Sequence, residues 1–217
     1  MHQTTLNFPE INLQRRHGHK LRGYFANLFG KESDLFHNHD QDGRQIYRYP
    51  RIQYKVVNGT PMMVGIEEGA KLIIERFLQI NEIEIEGKVF SLNQKNMKSE
   101  EVEVTLNGTL HAYEFVNPWM PLNQDNYERY QSYDEAGKQK QLKSILVRNI
   151  LNVFSVGGYH AKEEVMVHLE TRPARVSMFK NQEMLTFQGK FVTNAVLPDY
   201  VGLGKSVSRG FGTIVRK

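Results

Sequence analysis

The chain contains no cysteine among its 217 residues. This absence excludes disulfides, thiol nucleophiles, zinc ribbons and iron–sulfur clusters. No apolar run approaches the ~20 residues that a membrane-spanning helix needs. The N-terminus lacks the basic-then-apolar pattern of a secretory signal. We therefore predict a cytoplasmic protein that does not act at a membrane. Hydrophobic residues make up 40% of the chain, enough to build a core.

Acidic residues are scarce at both ends of the chain. Residues 1–55 carry a net charge of +4 and residues 138–217 carry +8, whereas residues 56–137 carry −8. Two basic ends around an acidic middle predict a surface for a polyanion, built from both termini.

The apolar spacing in the first half predicts alternating strands and helices. The order is β-α-β-β-α-β, which is typical of a ferredoxin-like domain. The predicted elements are a strand at 3–8, a helix at about 17–29, a strand at 45–57 broken near Pro50, a strand at 62–66 after Asn58-Gly59, a helix at about 67–79, a strand at 82–91 and a strand near 101–106.

A second α/β module follows a junction rich in proline, at residues 115–121. A helix is predicted at about 138–155, where Gly157-Gly158 ends it. The remaining residues are predicted to form strands, at 164–170, 174–180, 184–196 and 212–216.

The C-terminal sixteen residues are glycine-rich and basic. Glycine lets backbone N–H groups approach an anion, lysine and arginine supply charge, and serine supplies a hydroxyl donor. This composition favours binding of a phosphate backbone over a flexible tail, because apolar residues interrupt it regularly. An ATP-binding P-loop is excluded, because Asp199 stands where that motif needs its first glycine.

A histidine loop is the second chemical feature. His37 and His39 lie between aspartates, and a pair of imidazoles can supply both the base and the acid for RNA cleavage through the ribose 2′-hydroxyl. Tyr47 and Lys55 follow and could steady the negative phosphorane. A metal site is the rival hypothesis, because His-x-His beside aspartates resembles a ligand set. Loop polarity without function is the third.

Six segments of the chain resemble the CRISPR-associated repeat-processing endoribonucleases, the family called Cas six, and its b-type branch within the RAMP superfamily. They occur in the family's order and span almost the whole chain. They are HKLRGYFANLF at 19–29, FHNH at 36–39, YPRIQYKV at 49–56, VGIEEG at 64–69, NPWMPL at 117–122 and LPDYVGLGKSVSRGFG at 197–212.

The resemblance implies an α+β protein with two tandem ferredoxin-like (RRM-like) domains and a C-terminal glycine-rich loop. We assign the domains to residues 1–112 and 113–217. The resemblance also implies cleavage of precursor CRISPR RNA within the repeat without a metal or other cofactor, leaving 2′,3′-cyclic phosphate and 5′-hydroxyl ends. CRISPR repeat RNA is the implied partner; other CRISPR effector subunits and a homodimer are further candidates.

Site residues carry over from the family residue by residue. His37 and His39 become the proton-transfer pair, with Tyr47 and Lys55 as weaker catalytic candidates. The implied RNA-binding residues are Lys20, Arg22, Gly202, Gly204, Lys205, Ser206, Ser208, Arg209, Gly210 and Gly212. Two alternatives remain at this point: a non-catalytic CRISPR RNA-binding subunit and a metal-dependent nuclease.

Overall fold

A computed structural model describes residues 1–38, 44, 46–174, 177–179 and 182–217. The chain divides into two compact units, one of Met1–Val102 with Ser208–Gly210 and one of Glu103–Val207 with Phe211–Lys217. Within the described part of the chain, no helix is both long and apolar enough to cross a membrane.

Among the residues that the structure describes, the first unit has six strands and two α-helices. The strands are β1 (His2–Asn7), β2 (Ile52–Val57), β3 (Thr60–Ile66), β4 (Glu82–Ile85), β5 (Lys88–Ser91) and β6 (Asn96–Glu101), and the helices are α1 (Gly18–Phe29) and α2 (Glu68–Arg76). Four strands form an antiparallel sheet in the order β2-β3-β1-β6. Counting only the sheet strands, the chain order is β-α-β-β-α-β, so this unit has the predicted ferredoxin-like topology.

The predicted strand at 82–91 is wrong. These residues form a separate hairpin of β4 and β5, and the fourth strand of the main sheet is β6. The chain reverses at Glu86 and Gly87, whose φ angles are 54° and 78°. Two successive positive φ angles are the geometry of a type I′ hairpin turn. Glutamate is an unusual first residue for that turn, so residue type alone does not indicate the reversal.

Helix α1 packs on β2 in the core of the first unit, to which β1, α2 and β4 also contribute buried residues. Leu21, Phe25 and Phe29 form the buried stripe of α1, and the ring of Phe25 stacks on Tyr54 of β2 at 5.6 Å between centroids. Side chains alternate along a strand, so Ile52, Tyr54 and Val56 share the core face of β2. Tyr54 thereby becomes part of the core and remains close to the residues that follow α1.

The second unit has the same strand order. Its elements are β7 (Thr105–Phe115), α3 (Gln124–Ser132), α4 (Glu135–Val156), β8 (Val167–Pro173), β9 (Ser177–Phe179), β10 (Gln182–Met184), β11 (Phe187–Val196) and β12 (Ile214–Arg216). The sheet runs β12-β7-β11-β8 with all neighbours antiparallel. Residues 197–213 occupy the chain position that a second helix has in the first unit.

The boundary of the two units differs from the one expected between residues 112 and 113. That position lies inside β7, whereas the division by contacts falls after Val102. Residues 107–110 of β7 are all exposed and read Asn-Gly-Thr-Leu, so the N-terminal half of the strand has no apolar alternation to reveal it. Helix α3 was also not predicted; its residues are mostly exposed, with only Tyr130 buried.

Candidate functional site

The histidine segment, residues 34–38, follows the C-terminal end of α1. Two side chains donate hydrogen bonds to its main chain. Phe36 is the last residue of a short 3₁₀ helix, Asp34–Phe36. Its carbonyl oxygen accepts a hydrogen bond from the Tyr54 hydroxyl at 3.2 Å. The Arg22 guanidinium donates to the next carbonyl oxygen, that of His37. Two successive carbonyls are therefore held by side chains from β2 and α1. The main chain is thus fixed immediately before residue 39.

The imidazole of His37 lies against the C-terminal end of α1. It is half-buried, and its Nε2 lies 3.1 Å from the carbonyl oxygen of Gly30. In the tautomer protonated at Nε2, the ring donates to this carbonyl. A side chain on Gly30 would displace the ring, because a Cβ there would lie 2.6 Å from His37 Cδ2. One nitrogen of His37 is therefore engaged by the main chain.

The chain returns beside the histidine segment after residue 45. Asn38 has φ 54° and is buried, and its carbonyl oxygen accepts from the amide of Ile46 at 2.9 Å. Arg48 donates from Nε to Asn38 Oδ1 at 3.2 Å and pairs through Nη2 with Asp34 at 3.0 Å. These contacts close the loop at its base.

His39 lies outside the described residues, as do Asp40 and Asp42. The predicted pairing of His37 with His39 therefore stays a prediction. The metal alternative depends on the same residues. Among the residues that the structure does describe, no three histidine or acidic side chains gather in a way that could hold a metal ion.

Tyr47 and Lys55 occupy opposite environments. Tyr47 is 91% exposed, so its hydroxyl is open to a ligand. Lys55 is fully buried, and its ammonium donates to Gln53 Oε1 at 2.8 Å. Burial lowers the pKa of Lys55 to about 7, because the charged form loses its hydration. Lys55 therefore does not present a charge to solvent, which is what a surface phosphate contact needs.

The glycine-rich segment is ordered at its base. The amide of Leu203 donates to Gly212 O at 2.9 Å, and the amide of Gly212 donates to Pro118 O at 2.8 Å. The amide of Lys205 donates to Met120 O at 2.9 Å. Regular strand pairing is absent over most of residues 197–213, yet these hydrogen bonds satisfy the main chain of the segment locally. A flexible tail is therefore not what the residues form.

Two of its glycines are explained by close packing. Gly204 has φ +94°, and a Cβ there would lie 2.7 Å from Met120 O and 2.8 Å from Trp119 Nε1. Gly212 has φ +63° and lies against the Leu203 main chain. Both positions need glycine for backbone conformation and for space. Packing alone thus accounts for these two glycines, without a bound phosphate.

The other implied RNA-binding residues of this segment differ in exposure. Lys205 is exposed, Ser206 and Ser208 are half-buried, and Gly202 and Gly210 are buried. Among the side chains of 202–208, Lys205 is thus the charged group that solvent reaches.

Arg209 lies in the first unit, at the start of α1. Its carbonyl oxygen approaches Gly18 so closely that a Cβ on Gly18 would lie 2.6 Å away. Burial and the charge of Arg22 together lower the pKa of Arg209. Burial also lowers the pKa of Arg22, whose Nε is buried and has no hydrogen-bond partner among the described residues. Lys20, by contrast, is exposed, and its Nζ lies 3.8 Å from Glu86 Oε1.

Tyr54 is the residue that sequence reasoning missed. It occupies a core position of β2, and its alternation with Ile52 and Val56 gives a full account of it as a packing residue. Only the three-dimensional structure shows that its hydroxyl reaches Phe36 O.

The two units have the same fourth-first-third-second strand order, which defines a protein with two ferredoxin-like domains. Residues 1–103 match the Cas6b N-terminal domain family, and residues 105–217 match the Cas6b C-terminal domain family. The chain belongs to the Cas6b family of CRISPR RNA processing endoribonucleases, as its sequence motifs predicted.

Two solved structures agree with this assignment. The chain is 33% identical to one Cas6b crystal structure, with a TM-score of 0.91, covering 100% of this chain and 99% of that one. It is 31% identical to a crystal structure of the CRISPR RNA processing endoribonuclease Cas6b, with a TM-score of 0.80 and full coverage of both chains. An uncharacterized protein of Methanocaldococcus jannaschii is 35% identical over 144 residues, which are 65% of this chain and 97% of that protein.

Proposed function

We propose that this endoribonuclease cuts precursor CRISPR RNA within the repeat by attack of a ribose 2′-hydroxyl, in the cytoplasm and without a metal ion. The products are a 2′,3′-cyclic phosphate and a 5′-hydroxyl. The observation that carries the proposal is the anchored histidine segment, in which Tyr54 and Arg22 hold the carbonyls of residues 36 and 37. Catalytic side chains need such fixed main chain, because small misplacements slow reactions strongly.

His37 and His39 carry the two proton transfers in this mechanism. One imidazole removes the proton of the 2′-hydroxyl, and the other gives a proton to the departing 5′-oxygen. Tyr47 is exposed and can donate to the reacting phosphate, whereas buried Lys55 has a structural place in this account.

The RNA strand is held by phosphate contacts from basic side chains, and base contacts or the shape of a hairpin select the cleavage position. Lys20 and Lys205 are exposed and supply such contacts. We propose other CRISPR effector subunits and a second copy of this chain as further partners.

The deciding experiment separates this mechanism from its two alternatives. Repeat RNA is incubated with the protein in the presence of a chelator. The same RNA with a single 2′-deoxy nucleotide at the cleavage position is incubated in parallel. The proposed mechanism predicts cleavage of the first and none of the second, because the nucleophile is missing. A metal-dependent nuclease would stop with chelator and cut the deoxy substrate without it. A non-catalytic subunit would bind both and cut neither.

Variants of the two histidines assign the roles. His39→Ala should slow cleavage by about 10²–10⁴-fold, with little change in RNA affinity. His37→Asn keeps a donor for Gly30 O but cannot titrate near neutrality, so it separates proton transfer from anchoring. His168→Ala, at an exposed position, is the control. The assignment is wrong if His37→Ala and His39→Ala both cut at the wild-type rate.

A further inference from the structure

Arg22 has a buried donor for which the described residues supply no acceptor. One terminal nitrogen of its guanidinium is bonded to His37 O, while Nε is buried without a hydrogen-bond partner among the described residues. A buried donor without an acceptor costs about 1–3 kcal/mol. Native structures rarely retain such a group, and it indicates a place where an acceptor belongs.

Arg209 brings a second guanidinium to the same place. Its main chain packs on Gly18, which lies one helical turn before Arg22 on the same face of α1. The two charges repel, and this repulsion contributes to the lowered pKa of Arg209. The fold therefore holds two like charges together where water has limited access. An anion between them would offset both the repulsion and the unused donor.

We propose that Arg22 and Arg209 bind one phosphodiester group together, and that it is the phosphate at which the RNA is cut. The inference rests on the proposed function. Its location follows from Arg22 itself, because the same guanidinium that offers Nε also holds His37 O, two residues before His39. A guanidinium suits this role, since its planar donors match phosphate oxygens and it does not release a proton.

The chemical role of this two-arginine site is electrostatic. The 2′-oxygen forms a bond to phosphorus and passes its proton to the base. The bond from phosphorus to the 5′-oxygen breaks, and that oxygen takes a proton from the acid. Negative charge grows on the two non-bridging oxygens between these events, and the arginines donate hydrogen bonds to them. No proton moves to or from either arginine.

Arg209→Ala is the sharper test, because Arg22 also anchors the histidine segment and its loss would disturb that anchor. We expect Arg209→Ala to slow single-turnover cleavage by about 10²-fold, in the range for loss of one donor to a transition-state oxygen. Its affinity for the uncleavable 2′-deoxy RNA should fall less than its rate. Guanidinium ion, added at concentrations that do not unfold the protein, should raise the cleavage rate of Arg209→Ala at least tenfold.

Arg148→Ala serves as the matched control, because it removes an exposed arginine of α4. It should cut at the wild-type rate and not respond to guanidinium. A purely structural role of Arg209 would lower the unfolding temperature and would not be rescued. The conservative double variant Arg22→Lys/Arg209→Lys should lose less rate than the product of the two single losses, because both act on one phosphate.

Two failures can be told apart. If the wild type cuts and Arg209→Ala cuts equally fast, or loses rate and affinity equally without rescue, the two-arginine site is wrong and the proposed function stands. If the wild type does not cut, the proposed function fails. The two-arginine site is then tested by the binding of inorganic phosphate to the protein. Phosphate, compared with chloride at equal ionic strength, should then raise the unfolding temperature of the wild type but not of Arg209→Ala. Equal shifts would overturn the site itself.

Discussion

Lys55 gives the prediction whose magnitude follows most directly from the structure. Its side chain is fully buried, and burial holds its pKa at about 7, compared with an ordinary value of 10.5. Between these two values the unfolded chain keeps a proton on Lys55 that the folded chain releases. The free energy of unfolding must therefore increase as the pH rises through this window, and the full penalty is present below about pH 7.

The size of the effect follows from the two pKa values. Raising the pH from about 7.5 to about 9 should stabilise the folded protein by about 2 kcal/mol through Lys55 alone. Lys55→Met keeps a similar volume and removes the titrating group. The wild type should therefore gain about 2 kcal/mol relative to Lys55→Met over this interval, whatever the offset between the two proteins at one pH. Other groups titrate in both proteins and cancel.

Urea unfolding at the two pH values measures this difference. Lys71→Met, at an exposed position of α2, is the control and should track the wild type at both. A difference between wild type and Lys55→Met that stays constant from pH 7.5 to 9 would refute the reasoning. It would mean that Lys55 remains charged inside the fold, with its hydrogen bond to Gln53 and its other contacts outweighing the lost hydration.

Three further outcomes are expected. Tyr54→Phe should cost about 1–3 kcal/mol of unfolding free energy, because Phe36 O loses a buried donor, and should also slow cleavage. Gly212→Ala should cost at least about 1–3 kcal/mol through its positive φ, whereas Gly108→Ala, with open space around it, should not destabilise the protein; thermal unfolding compares the two. Lys205→Ala should reduce the slope of log affinity for repeat RNA against log salt by about 0.7 if it contacts one phosphate; an unchanged slope would remove it from the RNA-binding surface.

The fold was predictable where apolar periodicity is strong. Helix α1 begins and ends within one residue of its prediction, because Leu21, Phe25 and Phe29 mark a buried stripe. The hairpin of β4 and β5 was missed because glutamate occupies a positive-φ position of its turn. The strand predicted near 101–106 covers the first two residues of β7, and residues 107–114 were missed because the exposed residues at 107–110 do not alternate. Local patterns thus identify elements that bury a face and fail for elements that bury little.

The site was predictable by residue type but not by arrangement. Imidazoles in one loop and a basic glycine-rich segment can be recognised from chemistry alone. The burial of Lys55 and the approach of Arg209 to Arg22 depend on tertiary packing, which joins residues from distant parts of the chain. The glycines at 204 and 212 show the converse, because composition suggested a phosphate cradle and packing already explains them.

The most direct test of the central proposal is single-turnover cleavage of repeat RNA with chelator present, followed by identification of the product ends. The account predicts one cut, a 2′,3′-cyclic phosphate and a 5′-hydroxyl, and no cut in RNA with a 2′-deoxy nucleotide at that position. Cleavage of the deoxy substrate, or loss of all cleavage on chelation, would contradict it.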